Sequence, residues 1–108
     1  MTVKELSSKS GFAPVLTPCA EREISGAYCG DLLSWVMGRA QSDNAWITIM
    51  SNINVVAVAS LSDVSCVILA EGVKLDEDAL KAAKEKEINI LSSEKSAYEI
   101  AVLLGELI

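Results

Sequence analysis

Residues 65–91 read SCVILAEGVKLDEDALKAAKEKEINIL, and this stretch decides the fold. Residues 65–69 and 88–91 are short runs rich in Val, Ile and Leu, which is typical of strands buried on both faces. Gly72 ends the first run. Residues 76–86 then show a helical pattern, with acidic residues at the start and lysines towards the end, which is the order that the helix dipole favours. The stretch therefore predicts two parallel strands joined by a right-handed helical crossover.

The same alternation continues on both sides of this unit. Residues 46–50 form another apolar run, and Ser96 with Glu99 forms a capping box that opens a final helix. Residues 54–61 are rich in Val, which favours a strand, but two parallel strands need a crossover between them, so we predict a short helix with Asn54 as its N-cap. The sequence predicts an α/β fold, a three-layer α/β/α domain with a mostly parallel sheet.

The first forty residues predict shorter elements. Thr2 and Glu5 form a capping box for a first helix, and residues 14–17 and 22–28 are interpreted as two short strands. Residues 31–40 then form a helix that is apolar around most of its circumference. Such a helix is expected to be buried on more than one side, and one of those sides is interpreted as facing another subunit.

Length, charge and cysteine content limit the class of protein. A chain of 108 residues suits one domain, residues 1–108, whose apolar content of 51% builds a core without disulfides or metals. The net charge of −6, without a cluster of basic residues, argues against nucleic acid and anionic membranes as partners. Three cysteines without a Cys-x-x-Cys pair indicate reduced thiols, and the N-terminus lacks the pattern of a signal peptide, so we expect a cytoplasmic protein.

Motifs for catalysis are missing from the sequence. There is no histidine, no phosphate-binding loop, no dinucleotide-binding glycine pattern and no nucleophile elbow, so we expect no enzymatic activity, no cofactor and no metal site. Cys29 precedes a helix and is the only plausible nucleophile, but Asp31 adds a nearby negative charge and no base accompanies it. An unreactive thiol is therefore the preferred interpretation. Trp35 and Trp46 are interpreted as core or interface residues.

A ligand site is expected where the carboxyl ends of the parallel strands meet. Three segments fall there, residues 51–54, 70–72 and 92–93, and they offer hydroxyls, amides and backbone N–H groups. Solvated loops would contain the same residues, so the assignment is a hypothesis. The candidate ligand-binding residues are Ser51, Asn52, Asn54, Glu71 and Gly72.

Several of these segments also match a known family in order and spacing. They are residues 26–33 (GAYCGDLL), 46–49 (WITI), 54–59 (NVVAVA) and 67–72 (VILAEG), followed by residues 76–86, 88–91 and the Ser96 capping box. Over residues 24–107 the chain resembles the DRTGG domain, a regulatory module related to the N-terminal domain of HPr kinase/phosphorylase. The resemblance implies a three-layer α/β/α regulatory or dimerising domain. It does not imply kinase activity, because the phosphate-binding loop of that enzyme is missing.

The chain departs from the family at its name-giving motif. Residues 70–72 are Ala-Glu-Gly where the family favours Thr-Gly-Gly, and residues 50–52 are Met-Ser-Asn where it often has Gly-Asp-Arg. Three functional hypotheses follow. The first is a non-catalytic regulatory module, a homodimer that acts on another protein; the alternative is a sensor of a nucleotide or small metabolite. The third is an enzyme with Cys29 as nucleophile.

Overall fold

A computed structural model describes the whole chain, residues 1–108. Five helices and five strands follow one another along it: α1 Val3–Ser7, β1 Ala13–Leu16, β2 Ala27–Cys29, α2 Leu33–Arg39, β3 Ala45–Thr48, α3 Ile53–Ser62, β4 Cys66–Leu69, α4 Glu77–Lys86, β5 Ile90–Ser92 and α5 Ala97–Leu107. No helix has the length and apolar content needed to cross a membrane.

The strands form one sheet in the order β1-β5-β4-β3-β2. Strands β2 to β5 are parallel to their neighbours, and β1 pairs antiparallel with β5. Residues of α2, α3 and α4 share one buried cluster, whereas residues of α1 and α5 share a second. The predicted α/β fold with a mostly parallel sheet is confirmed, and the arrangement is compatible with three α/β/α layers.

Alternate residues of the central strands face opposite layers, as the pleat requires. Trp46 and Leu69 pack under α2, α3 and α4, while Ile47 and Ile68 pack against α1 and α5. Each of the four is almost completely buried. This two-sided burial explains why β3 and β4 are continuous apolar runs in the sequence.

The predicted crossover helix after β3 is present, with a corrected start. The N-cap of α3 is Asn52 and not Asn54, because the Asn52 side-chain oxygen accepts a hydrogen bond from the Asn54 N–H at 2.9 Å. Asp63 ends the helix in a left-handed conformation, with φ 55°. The N-cap thus lies two residues earlier than the sequence pattern predicts.

The structure corrects the predicted bounds of two elements in the first forty residues. The second strand covers only Ala27–Cys29, because residues 22–24 hydrogen-bond with the chain start instead: the Val3 N–H donates to Arg22 O, and the Ile24 N–H donates to Met1 O. Helix α2 begins at Leu33, and only its Val36 side chain is fully buried. It lies at the edge of the helical layer, and its contacts with other helices are chiefly with α3. The single chain therefore buries it on fewer sides than its apolar pattern indicates.

Charged residues hold the amino edge of the sheet together. Arg22 Nη2 lies 3.0 Å from Asp43 Oδ1 and 2.8 Å from Asp63 Oδ1, and the Ser42 hydroxyl donates to Asp63 Oδ2 at 2.6 Å. The hydrogen bond from Ser42, followed by that from Arg22, lowers the pKa of Asp63. These contacts join the chain before β2 to the loops before β3 and β4. The amino edge is therefore occupied by structural contacts, and the carboxyl edge is the place to look for a ligand.

Candidate functional site

A pocket of about 250 Å³ lies at the carboxyl edge of the sheet. It is formed by the ends of β2 and β3, the loop after β4 and the start of α5. The residues that line it are Cys29, Gly30, Asp31, Ile47, Thr48, Ile49, Glu71 and Ala97. Parallel α/β sheets bind ligands at this position, so the pocket is where the sequence analysis places a ligand site.

The carboxylate of Asp31 is fixed at this pocket. Its Oδ1 accepts hydrogen bonds from the Thr48 hydroxyl at 2.8 Å and from the Ile49 N–H at 3.0 Å. The Thr48 hydroxyl in turn accepts from the Met50 N–H at 3.1 Å. Asp31 therefore joins the loop after β2 to the end of β3 and places a carboxylate at the pocket. The sequence analysis names Asp31 only as a charge near Cys29 and does not select Thr48, although in the structure Asp31 lies two residues after β2 and Thr48 ends β3.

The loop after β4 lines the pocket with the Glu71 side chain, whereas its backbone N–H groups are already hydrogen-bonded. Glu71 and Gly72 both have positive φ, 56° and 71°. Their N–H groups donate to Lys95 O and Ser93 O, each at 2.9 Å, so neither is free to bind an anion. With the carboxylates of Glu71 and Asp31 both lining it, the pocket offers hydrogen-bond acceptors. That chemistry suits a ligand with hydroxyl or amino groups better than one bound through phosphate.

Gly72 has a structural role beside this pocket. A Cβ built at this position would lie 2.6 Å from a carboxylate oxygen of Glu94, and the backbone already has φ +71°. A side chain here would strain the backbone and displace Glu94, so the residue is required by the turn. A substitution at position 72 is consequently a poor test of ligand binding.

The other predicted ligand residues lie at the start of α3 and do not line the pocket. Ser51 donates its hydroxyl to Asp76 Oδ1 at 3.2 Å, which joins the loop after β3 to the start of α4. Asn52 caps α3, and Asn54 is exposed on the first turn of that helix. The structure thus brings only Glu71 of the five predicted residues into the pocket.

The surroundings of Cys29 and Cys66 disfavour the thiolate form. Burial, followed by the negative charge of Asp31, raises the pKa of Cys29. Burial also raises the pKa of Cys66 to about 12, in line with its predicted place in the core. Because the thiolate is the nucleophilic form, neither residue is prepared for covalent catalysis near neutral pH.

A second feature is an uncharged surface at the start of α2, which we call the α2 face and define as Leu32 and Trp35, two residues three positions apart and therefore on one side of the helix. Each of these side chains is more than half exposed, and the exposed fraction of Trp35 is 52%. The Arg39 guanidinium lies 3.7 Å from the centre of the Trp35 ring. Arg39 and Asp43 are the only charged residues from position 32 to position 62.

Comparison with known proteins gives a family. No curated protein matches the chain. The model of the DRTGG domain matches residues 29–107, from the end of β2 to the end of α5, which is well over half of the sequence. Domains of this family generally have regulatory or sensory roles and are not the catalytic parts of proteins. The chain belongs to the DRTGG domain family.

Proposed function

We propose that this domain is a non-catalytic regulatory module that forms a homodimer and acts on another protein. The observation that carries the proposal is the α2 face. Large apolar side chains that are more than half exposed on one short helix are expected to bind another surface, and aromatic residues are enriched in the centres of such interfaces.

Charge supports a second copy of the chain as the occupant of this face. Each copy carries a net charge of −6, so the electrostatic repulsion between two copies is smallest when their contact surfaces bring no like charges together. Helix α4 is unsuitable because Glu77, Asp78 and Lys81 are exposed on it. The α2 face carries no charge of its own, and the neighbouring Arg39 is stacked on Trp35. By this criterion an interface between two identical acidic chains is better placed on α2 than on α4.

Tryptophan fluorescence tests this proposal in the unmodified protein. Trp46 is fully buried and Trp35 is half exposed, so an added quencher such as acrylamide reports mainly on Trp35. We expect quenching to decrease as the protein concentration rises, because dimer formation covers Trp35. The Trp35→Phe variant, which retains only buried Trp46, is the control and should show weak quenching at every concentration. Quenching of the unmodified protein that does not change with concentration would contradict the proposal.

The second candidate function is a sensor of a small metabolite or nucleotide, and the pocket at the carboxyl edge favours it. Glu71 would contact the ligand from within the pocket. Ser51, Asn52 and Gly72 would act from its surroundings, by holding the adjoining loops. Asn54, which is exposed on the first turn of α3, would contact only a ligand that extends beyond the pocket. Since Asp31 and Glu71 both present carboxylates, hydroxyl groups of a sugar or amino groups of a metabolite are the expected points of contact.

Thermal unfolding against a panel of nucleotides and central metabolites tests the sensor function. A ligand present at about 100 times its dissociation constant stabilises the fold by about 2.7 kcal/mol, which is a shift of several degrees for a domain of this size. The Glu71→Gln variant should lose most of the shift, while Glu106→Gln, an exposed change on α5, should keep it. An equal shift in both variants would place the ligand elsewhere, and no shift with any compound would argue against a sensor of these classes.

A further inference from the structure

Strand β2 forms one edge of the sheet and has an open side. Its hydrogen bonds to β3 use alternate residues: Gly26 O accepts from the Ala45 N–H at 2.9 Å, and the Gly30 N–H donates to Ile47 O at 3.1 Å. Ala27 and Cys29, one residue inward from each glycine, therefore direct their peptide groups away from the sheet. None of the hydrogen bonds to loops, turns or caps involves them. Two residues of this edge are free to pair with another strand.

The two edges of the sheet differ in how they are protected. Strand β1, at the other edge, contains Pro14 and an irregularity of register between Pro14 and Leu16, both of which discourage pairing with another chain. Strand β2 contains no proline, no charged residue and no bulge, and glycines precede and follow it. Its length of only three residues does limit pairing with an extended strand, so we expect stable pairing only with a partner that adds contacts beyond the strand itself.

We propose that two copies of the chain pair their β2 strands in antiparallel fashion around a two-fold axis at Tyr28, which joins the two sheets into one. The inference rests on the homodimer proposed above and supplies its geometry. In this register Ala27 of each copy lies opposite Cys29 of the other, and each such pair exchanges two N–H···O bonds. Tyr28 of one copy lies opposite Tyr28 of the other.

Helix α2 explains why the partner is a second copy and not an unrelated strand. Leu33 and Val36 of α2 pack in the same cluster as Tyr28 and Trp46, so the helix lies over β2 and β3 at the edge of the sheet. Helix α3 covers one flank of α2, and the other flank faces the open edge. Pairing through β2 brings the α2 helix of the second copy against this flank and covers the α2 face. An isolated strand would satisfy the peptide groups and leave those side chains exposed.

The register is also free of charge conflicts. Gly26 lies opposite Gly30, and Asp31 lies opposite Ser25, so no two like charges face each other across the axis. Opposed glycines allow the two backbones to approach closely on either side of Tyr28. For chains that each carry a net charge of −6, this is the condition that a self-pairing edge has to meet.

Cross-linking through Cys29 tests the geometry. In the Cys19→Ser variant Cys29 is the only exposed thiol, because Cys66 is buried. The proposed register places the two Cys29 side chains on the same face as diagonal neighbours about 7–8 Å apart. A bismaleimide of similar reach, added at mildly alkaline pH, should link most of the protein into covalent dimers. The control carries Cys19→Ser, Cys29→Ser and Val15→Cys, which moves the single exposed thiol to β1, and it should remain unlinked.

A second variant tests the hydrogen bonds themselves. Ala27→Pro removes an N–H that faces the open edge and leaves the bonds to β3 in place, so we expect a folded chain whose dimer dissociates at least about tenfold more readily. Two results would overturn the β2 pairing and leave the homodimer standing. In the first, the protein sediments as a dimer but is not linked through Cys29; in the second, it is linked equally well through Val15→Cys. Unmodified protein that sediments as a monomer overturns both the pairing and the homodimer.

Discussion

Replacing Trp35 with glutamate should turn the dimer into a monomer. Trp35 is the largest side chain of the α2 face, and tryptophans buried at the centre of an interface commonly contribute 2 kcal/mol or more to binding. The substitution removes that apolar surface and adds a negative charge to each of two already acidic chains. We expect the dissociation constant of the dimer to rise by a factor of at least about 30. Sedimentation velocity over a range of protein concentrations measures it.

The matched control is Val15→Glu. Val15 is also an exposed apolar residue, with an exposed fraction of 44%, but it lies on β1, at the opposite edge of the sheet. This variant adds the same charge and should remain dimeric. Because Trp35 contributes little to the core of the single chain, both variants should keep the circular dichroism spectrum of the unmodified protein. Equal dissociation of the two variants would show that added charge alone, and not the α2 face, controls association.

Replacing Asn89 with alanine should cause a large loss of stability, about 3 kcal/mol. The side chain is 2% exposed, and it joins β5 to the segment between β1 and β2. Its Oδ1 accepts from the Cys19 N–H, and its Nδ2 donates to Cys19 O and Ser65 O, each at 2.9 Å. Alanine leaves these three backbone groups without their partner. Urea unfolding followed by circular dichroism measures the effect.

Asn54→Ala provides the comparison for Asn89. Asn54 is exposed, and its side chain makes no hydrogen bond within the chain, so the free energy of unfolding should change by less than about 0.5 kcal/mol. A loss of less than about 1 kcal/mol in Asn89→Ala would show that water or other contacts satisfy the same backbone groups. In that case the segment around Cys19 would be held mainly by its own turns.

The strands and helices that the sequence predicts well are those whose pattern is local. Strands β3 and β4 are buried on both faces, so every residue in them is apolar or small, and α4 carries its charges in the order that the helix dipole favours. Asn89 shows the opposite case. A single amide in an apolar run is compatible with a strand, but its partner Cys19 lies 70 residues away. No local pattern indicates such a contact.

The candidate site was harder to predict, for a similar reason. Asp31 and Thr48 meet because β2 and β3 are neighbours in the sheet, which depends on topology and not on spacing. Ser51 is predicted at a ligand from its place after a strand, and that place does not indicate the hydrogen bond of its hydroxyl to Asp76 at the start of α4. The apolar pattern of α2 correctly indicated a helix, but periodicity does not distinguish burial by the same chain from burial by a second one. Distinguishing the two requires knowing that α2 lies at the edge of the sheet, and the local sequence does not indicate this.

Sedimentation equilibrium of the unmodified protein at micromolar concentration measures directly whether the chain forms a homodimer. The homodimer predicts a mass of twice the chain mass of 11.5 kDa, falling towards the single-chain value only on strong dilution. A mass of 11.5 kDa at every concentration would contradict the account, because the α2 face and the open edge of β2 would then remain uncovered by a second copy.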